Sequence, residues 1–457
     1  MTLQLCGKRL EPLVVGIGLL LAGLPAGAQA VGEVEFARGV GFAQAPGQVP
    51  RTLGKGLSLR EGDRLTTSEG ASAIVKLDDG TRMTVRPNSE MVVQQYRFKE
   101  NAADNSMLLQ LVRGGFRAVT GLISKNAPEA AKVRTSTATI GIRGTDFDVR
   151  LCVSECGAES SRVQESARPN TVQASARVVA SQGVLNATDT MGARRRLVDG
   201  GSVYPGDVVE TSQGTRAMLA FRDDTRITLG QATRFRVDNF VYDNQNAGEG
   251  RFLASVLKGT VRALTGLIAK ANNRNVGFNT ATATIGIRGT GFDIVCTGIC
   301  AEEPPTDDSG LTVFTWLGSV SVQQTGATAL EVLQAGQGLF ISPAGVRAIT
   351  NQPDFSEPRP DTVDVPPKLF SSDSVSDTQE GLFVFVRDGH IEIVTATDIL
   401  QLGRGEAGFA GNNGNTARPT MIPKFIDFDK LPLPTSKNPL LVSVLADVGV
   451  KPSNQCK

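Results

Sequence analysis

The 457-residue sequence predicts an all-β protein: two tandem β modules, sandwich or solenoid-like, followed by two closing hairpins near the C-terminus. Three observations carry that expectation. Fifty glycines and few aromatics accompany Thr-Val-Thr alternations, and no segment of helical length keeps an apolar stripe, which points to short strands and tight turns. Thr137-Ala-Thr-Ile-Gly-Ile-Arg-Gly-Thr145 returns almost unchanged at Thr282 to Thr290, 145 positions on. Upstream, Gly114 to Ile123 answers to Gly259 to Ile268, and Gly62-Asp63 to Gly206-Asp207, so whole domains are duplicated.

Residues 1–30 follow a different logic. Lys8 and Arg9 precede an apolar run from Leu13 to Leu24 that ends at Ala28-Gln29-Ala30, the order of a secretory signal peptide cleaved before Val31; an uncleaved anchor is the competing reading. No later stretch is long and apolar enough to suggest a span, so a soluble mature chain outside the cytoplasm is expected. The whole sequence carries 47 Lys plus Arg against 46 Asp plus Glu, and this balance gives no reason to expect nucleic acid or an acidic membrane as partner.

The first module is placed at 31–157. Within it, Ala73-Ile-Val-Lys-Leu77, Asp78-Asp-Gly80 and Thr81-Arg-Met-Thr-Val85 read as strand, turn and strand. The second module, at 175–350 with its closing hairpin, repeats the pattern as Met218 to Arg222, Asp223-Asp224 and Thr225 to Leu229. The Asp-Asp pairs are read as turn chemistry, since a calcium loop's spacing of liganding oxygens is absent. In the repeated Gly-Thr-x-Phe strands, Phe147 and Phe292 should face the core and Asp148 and Asp293 the opposite side. Residues 351–379 form a Pro-rich linker, 380–411 hold the second closing hairpin, and 412–457 are a tail. Gly310 to Val322 is echoed by Gly381 to Ile393, each read as a hairpin with a central Gly. Two arrangements are open: 381–410 returns to complete the first module, or both hairpins stack beside the second.

Cys152 and Cys156 follow one Phe strand and Cys296 and Cys300 the other, each spaced Cys-x3-Cys. Local disulfides pinning a hairpin tip are favoured over zinc, because His390, the only histidine, cannot complete two metal sites. Cys456 is left as a free thiol or a link to a second chain. Arg143 and Arg288 are expected to pair with an acid such as Asp148 or Asp293 rather than to hold an anion, and Trp316 and His390 to be packing or surface residues, His390 beside a turn.

The ordered pieces resemble one family, the FecR domain. Its pattern is met by Gly62-Asp63, Asp79-Gly80-Thr81, Leu111-Val-Arg-Gly114 and Gly144-Thr145-Asp-Phe147-Asp-Val149. The second copy supplies Gly206-Asp207, Asp224-Thr225, Leu257-Lys-Gly259 and Gly289-Thr290-Gly-Phe292-Asp-Ile294. The resemblance implies a periplasmic β domain that receives a signal from an outer-membrane receptor and passes it to a cytoplasmic segment binding a sigma factor. No stretch here matches that segment or its span, so the regulator role is not carried over. What remains is a non-enzymatic, cofactor-free binding or scaffold module for a protein or envelope glycan. Its competitors are a carbohydrate-active enzyme, betrayed by a cleft with two facing carboxylates, and a signalling component working through a separate membrane partner.

Overall fold

The computed structural model describes residues 30–429 except 101, 128, 307, 355 and 356, together with 432 and 434. Residues 1–29 of the expected leader, most of the tail beyond residue 429, and Cys456 therefore lie outside the described residues. Almost all regular structure is β, in two large sheet systems of 15 and 17 strands.

In the second module two sheets face each other across one apolar core. One contains Ala176–Gln182, Arg216–Phe221, Gly291–Cys296, Leu311–Leu317 and Gln337–Ser342. The other contains Leu185–Thr188, Arg234–Val241, Ala283–Ile287, Ser319–Gln324 and Leu330–Gln334. The long strand Arg251–Leu264 belongs to both: Lys258 still pairs with Arg234, while Gly259 pairs with Cys296 in the facing sheet. In the first module Ser106–Val119 does the same, pairing first with Glu90–Arg97 and then with Thr139–Cys152. Phe147 and Phe292 are fully buried in their respective cores, Phe147 edge-on to Phe116 and Phe292 edge-on to Phe278.

The repeated phrases are the joints of this plan. Thr120 Oγ1 accepts from the Thr145 amide at 2.8 Å and donates to its carbonyl at 3.1 Å; Thr265 makes the same pair of bonds to Thr290. Each Asp-Asp turn is a clasp, in which Asp79 accepts from both the amide and the hydroxyl of Thr81, and Asp223 from those of Thr225. The threonine hydroxyls in turn accept from the amides of Gly121 and Gly266, where short helices Leu122–Asn126 and Leu267–Ala271 begin.

The two closing segments are not hairpins. Gly381–Val394 is a single strand that leaves one sheet and enters the other at Gly389, and Gly318 divides Leu311–Leu317 from Ser319–Gln324 in the same way. The cause is a matched pair of corners. Gly389 (φ +89°) lies against Gly144 (φ +61°), and Gly318 against Gly289, both φ +69°. A Cβ on Gly389 would fall 2.3 Å from the Gly144 carbonyl oxygen, so only glycine lets the two bends nest.

Gly381–Val394 pairs antiparallel with Thr139–Cys152 along its whole length, from Thr139 opposite Val394 to Cys152 opposite Gly381. Leu382, Val384, Val386, Ile391 and Ile393 join the first module's core. Of the two arrangements left open by the sequence, the structure adopts the nested one. The chain crosses from the second module to the first along residues 351–379, where Arg226 donates to the Val363 carbonyl and Arg262 to that of Glu357.

That crossing and the last described residues bury a face the sequence analysis left outside. Asp148 and Asp293, expected to point away from the core, are each only 1% exposed. Asp148 is held by Arg387 under the short helix Lys424–Asp427, and Asp293 by Arg262, Trp316 and Gln352. Alternation along the strand is right, but both of its faces are covered.

Candidate binding cleft at the module junction

The cysteines sit where each Phe strand ends. Cys152 is joined to Cys156 and Cys296 to Cys300, with sulfurs 2.00 and 2.05 Å apart. The bridges close a strand-to-helix turn, into Glu155–Arg162 in one module and the short 3-10 turn Gly298–Ala301 in the other, rather than a hairpin tip. The first bridge packs with Phe383, Phe409, Ile422 and Phe425, so it anchors the closing strand and the final helix together. Gly144, Thr145, Gly289 and Thr290 are the corners already described; they shape the backbone, and Gly144 also lines the cleft described below. Among the described residues no group of His, Cys, Asp and Glu is arranged to hold a metal.

The two modules meet through charges with no access to water. Arg177 of the second module donates to both Glu406 oxygens of the first, at 2.6 and 2.7 Å, and Arg418 donates to Glu406 at 2.9 Å; all three side chains are fully buried. Other guanidinium N–H groups donate to Gly200 O, Ser202 Oγ, Ser371 O and Gln401 O, while Arg177 Nε is buried without a partner. Burial pulls the Arg177 pKa below the usual arginine value, against the pull of Glu406. Asn170 adds a neutral tie, its amide bonding both the Ala407 amide and carbonyl.

Beside this seam opens a cleft of about 310 Å³ lined by both modules. Its walls carry Arg143, Arg194, Arg195, Arg196 and Arg404 against Asp189, Asp207 and Asp388. Two of these aspartates are occupied: Asp207 pairs with Arg195 and accepts from the Tyr204 amide, and Asp189 caps its own turn through the Met191 and Ala193 amides. Tyr204 lies between Arg195 and Arg404, whose guanidinium carbons are 5.3 and 4.6 Å from the ring centroid. Arg143 does not reach Asp148; it bonds Glu129, Glu392 and the Asp199 carbonyl instead, because the Gly144 corner turns it out of the sheet that holds Asp148. Arg288, its counterpart, is exposed, and Asp293 is taken by Arg262.

His390 is the larger correction. Expected beside an exposed turn, it is only 9% exposed, because Gly389 is a corner within a strand and the next residue points into the seam. Its Nε2 lies 2.8 Å from Gln401 Oε1, and Gln401 Nε2 donates to Glu392, so the amide oxygen is the acceptor and Nε2 carries the proton. Burial first, then Arg177 and Arg143, push its pKa down to about 3, against the Gln401 bond. The remaining Nδ1 is buried without a hydrogen-bond partner, as is Arg143 Nε. Trp316 is a packing residue under Arg359, 4.0 Å from its ring.

Residues 63–181 and 207–321 each match the FecR protein family, together about half of the sequence. The chain belongs to the FecR family. The second matched region lies within the second module, and the first covers the first module from Asp63 and runs into the second module's strand Ala176–Gln182; each module needs a closing strand that lies at or beyond the end of its match. No curated protein matches this FecR protein. Among solved structures it is similar to a provisionally assigned anti-sigma factor from Parabacteroides distasonis ATCC 8503, in crystals at 1.65 and 2.50 Å resolution. Each match has 15% identity and a TM-score of 0.24 and covers 31% of this chain and 59% of that one.

Of the cleft residues, Gly144 was named from the sequence only as part of the family motif, while Arg143 was expected to be a paired residue and His390 a packing or surface residue. The run Arg194-Arg195-Arg196 was the available signal, and three adjacent arginines on one short strand could have flagged the cleft. Glu406 and Arg418 gave none, since their partner Arg177 is 229 positions from Glu406.

Proposed function

We propose that this FecR-family protein is a non-enzymatic binding or scaffold module of the bacterial envelope, acting on a protein or cell-wall component, with the junction cleft as its binding surface. The observation that carries the reading is the construction of the junction. Two FecR modules are locked by a fully buried Arg177–Glu406–Arg418 network, and beside it lies a concave surface to which both contribute. Such a lock fixes the modules' relative position, as a surface shared between them requires. The leader-like residues 1–30 support placement outside the cytoplasm, and the Cys-x3-Cys bridges suit an oxidising compartment.

Membership of the FecR family supports a second reading, a signalling component that works through a separate membrane partner. No helix among the described residues is long and apolar enough to cross a membrane. The carbohydrate-active enzyme is favoured less: the cleft is dominated by guanidinium groups, and Asp207 and Asp189 are already committed to internal partners. His390, neutral at physiological pH, is also poorly placed to shuttle protons.

The test is affinity capture from an envelope fraction, with a Cys456→Ser control to remove thiol-linked partners. Recovery of a glycan supports wall binding and recovery of an outer-membrane or inner-membrane protein supports signalling. A chain that captures neither, or that cleaves envelope glycans, contradicts the binding reading.

A further inference from the structure

We propose that the junction cleft binds a small phosphorylated ligand, with Arg196 and Arg404 holding the phosphate. The inference rests on the reading of this cleft as the binding surface and names the chemistry that it would take.

The first ground is charge. Five arginines line the cleft against three aspartates, and neutralisation within the wall is incomplete. Arg195 is matched by Asp207, Arg143 by Glu129 and Glu392, and Arg194 lies 3.8 Å from Glu210. Arg196 and Arg404 have no carboxylate partner among the described residues, and Arg404 spends only its flat face, on Tyr204. Stacking leaves the guanidinium edge free, and the edge is the part that bonds an oxyanion in bidentate fashion.

The second ground is unmet hydrogen bonding. His390 Nδ1 and Arg143 Nε, on two residues that line the cleft, are buried and unpartnered, as are the Nε atoms of Arg86, Arg150, Arg177 and Arg222 elsewhere, and leaving a buried polar atom unmade costs on the order of 1–3 kcal/mol. Of the two at the cleft, one is an acceptor and the other a donor. A phosphate oxygen answers the donor, and a hydroxyl on the group that carries the phosphate answers the acceptor. A simple carboxylate engages one arginine fork, whereas a phosphate offers three terminal oxygens to guanidiniums arriving from different strands.

The third ground is size and number. A cleft of about 310 Å³ suits a sugar phosphate or pyrophosphate. It also occurs once. At the far end of the second module the matching residues are Ala335, where the first module has Arg404, and the exposed Arg288, where it has Arg143. One ligand per chain is therefore expected.

Calorimetric titration of the purified full chain with inorganic phosphate and with pyrophosphate, at ionic strength fixed by chloride and with acetate as control, tests the proposal. Saturable binding at one site per chain is expected, with pyrophosphate tighter than phosphate and acetate without effect. Arg196→Gln/Arg404→Gln should weaken it by about tenfold or more, a change of about 1.4 kcal/mol, without moving the melting temperature, because both side chains are exposed. Competition by a hexose phosphate marks a free ligand as the source, and competition by anionic phospholipid vesicles marks a headgroup; either keeps the site. No saturable binding at about 10 mM, well beyond a Kd of 1 mM, equal binding of acetate, or an unaffected double variant overturns it. The envelope capture makes no reference to phosphate, so the two readings can fail separately.

Discussion

Replacing Glu406 with Gln should be the most damaging single-atom change in this molecule. Glu406 is fully buried and accepts three charge-assisted bonds, two from Arg177 and one from Arg418. The variant keeps the shape, loses the charge, and turns an amide NH2 toward two guanidiniums that are themselves donors. Removing one partner of a buried ion network costs about 3–5 kcal/mol, because the surviving charges stay desolvated. At roughly 2–4 °C per kcal/mol for a chain with modules of this size, the melting temperature should fall by roughly 6–20 °C. The control is Glu90→Gln, which removes the partner of the half-exposed Arg64 and should cost less than about 1 kcal/mol. Arg177→Met combined with Glu406→Gln should cost less than the sum of the two single changes, since fewer buried charges are then uncompensated. Calorimetric melting of the unchanged protein and the four variants reads all of this. If Glu406→Gln behaves like Glu90→Gln, or if the effects simply add, the junction is not held by a desolvated network.

Three further outcomes follow from the same structure. Phe147→Ala and Phe292→Ala should each lose about 3–5 kcal/mol in chemical denaturation, the penalty expected for emptying a fully buried aromatic site; an unmoved midpoint would contradict the core assignment. His390 is the only histidine, so its ring proton can be followed directly by NMR: it should not shift between about pH 5 and 8, and a titration near 6.5 would contradict its burial. Its folded pKa is depressed, so its contribution to stability is complete above about pH 6.5 and is lost as pH falls toward 3. Asp148 works in the opposite sense, because burial raises its pKa to about 6 despite Arg387 and Arg117. The folded state therefore holds its proton more tightly, stability from this group declines as pH rises from about 4 to 6, and Asp148→Asn should remove that slope from a pH series of denaturation curves.

The parts legible in the sequence are those written twice or written locally. The duplicated Gly-Thr-x-Phe strands, the Asp-Asp turns and the buried Phe147 and Phe292 could be placed because strand alternation and turn chemistry act over a few residues. Even the nested return of 381–394 left a trace, the echo of Gly310 at Gly381. That echo could not separate a hairpin from a strand bent between two sheets, since both need a glycine at positive φ. The difference lies in what Gly389 touches, namely Gly144, which is far away in the sequence. Burial of Asp148 and Asp293 was hidden for a related reason: the segments covering them come from the linker and the tail, whose composition reads only as irregular. The junction was least visible, because Arg177, Glu406 and Arg418 form no periodic pattern and acquire meaning only once the first module has been closed by the end of the chain.

That closure is the central claim, and hydrogen exchange read by mass spectrometry tests it most directly. Amides of Thr139–Cys152 should be strongly protected in the full chain, where Thr139–Gly141 lie between Ala131–Arg134 and Gly381–Val394, and Asp146–Leu151 between Ser106–Val119 and Gly381–Val394. In a chain ending at residue 379 the account predicts that this protection collapses, while that of Gly291–Cys296, closed by its own neighbour Leu311–Leu317, persists. Equal protection of Thr139–Cys152 in both chains would show that the first module is complete without the returning strand.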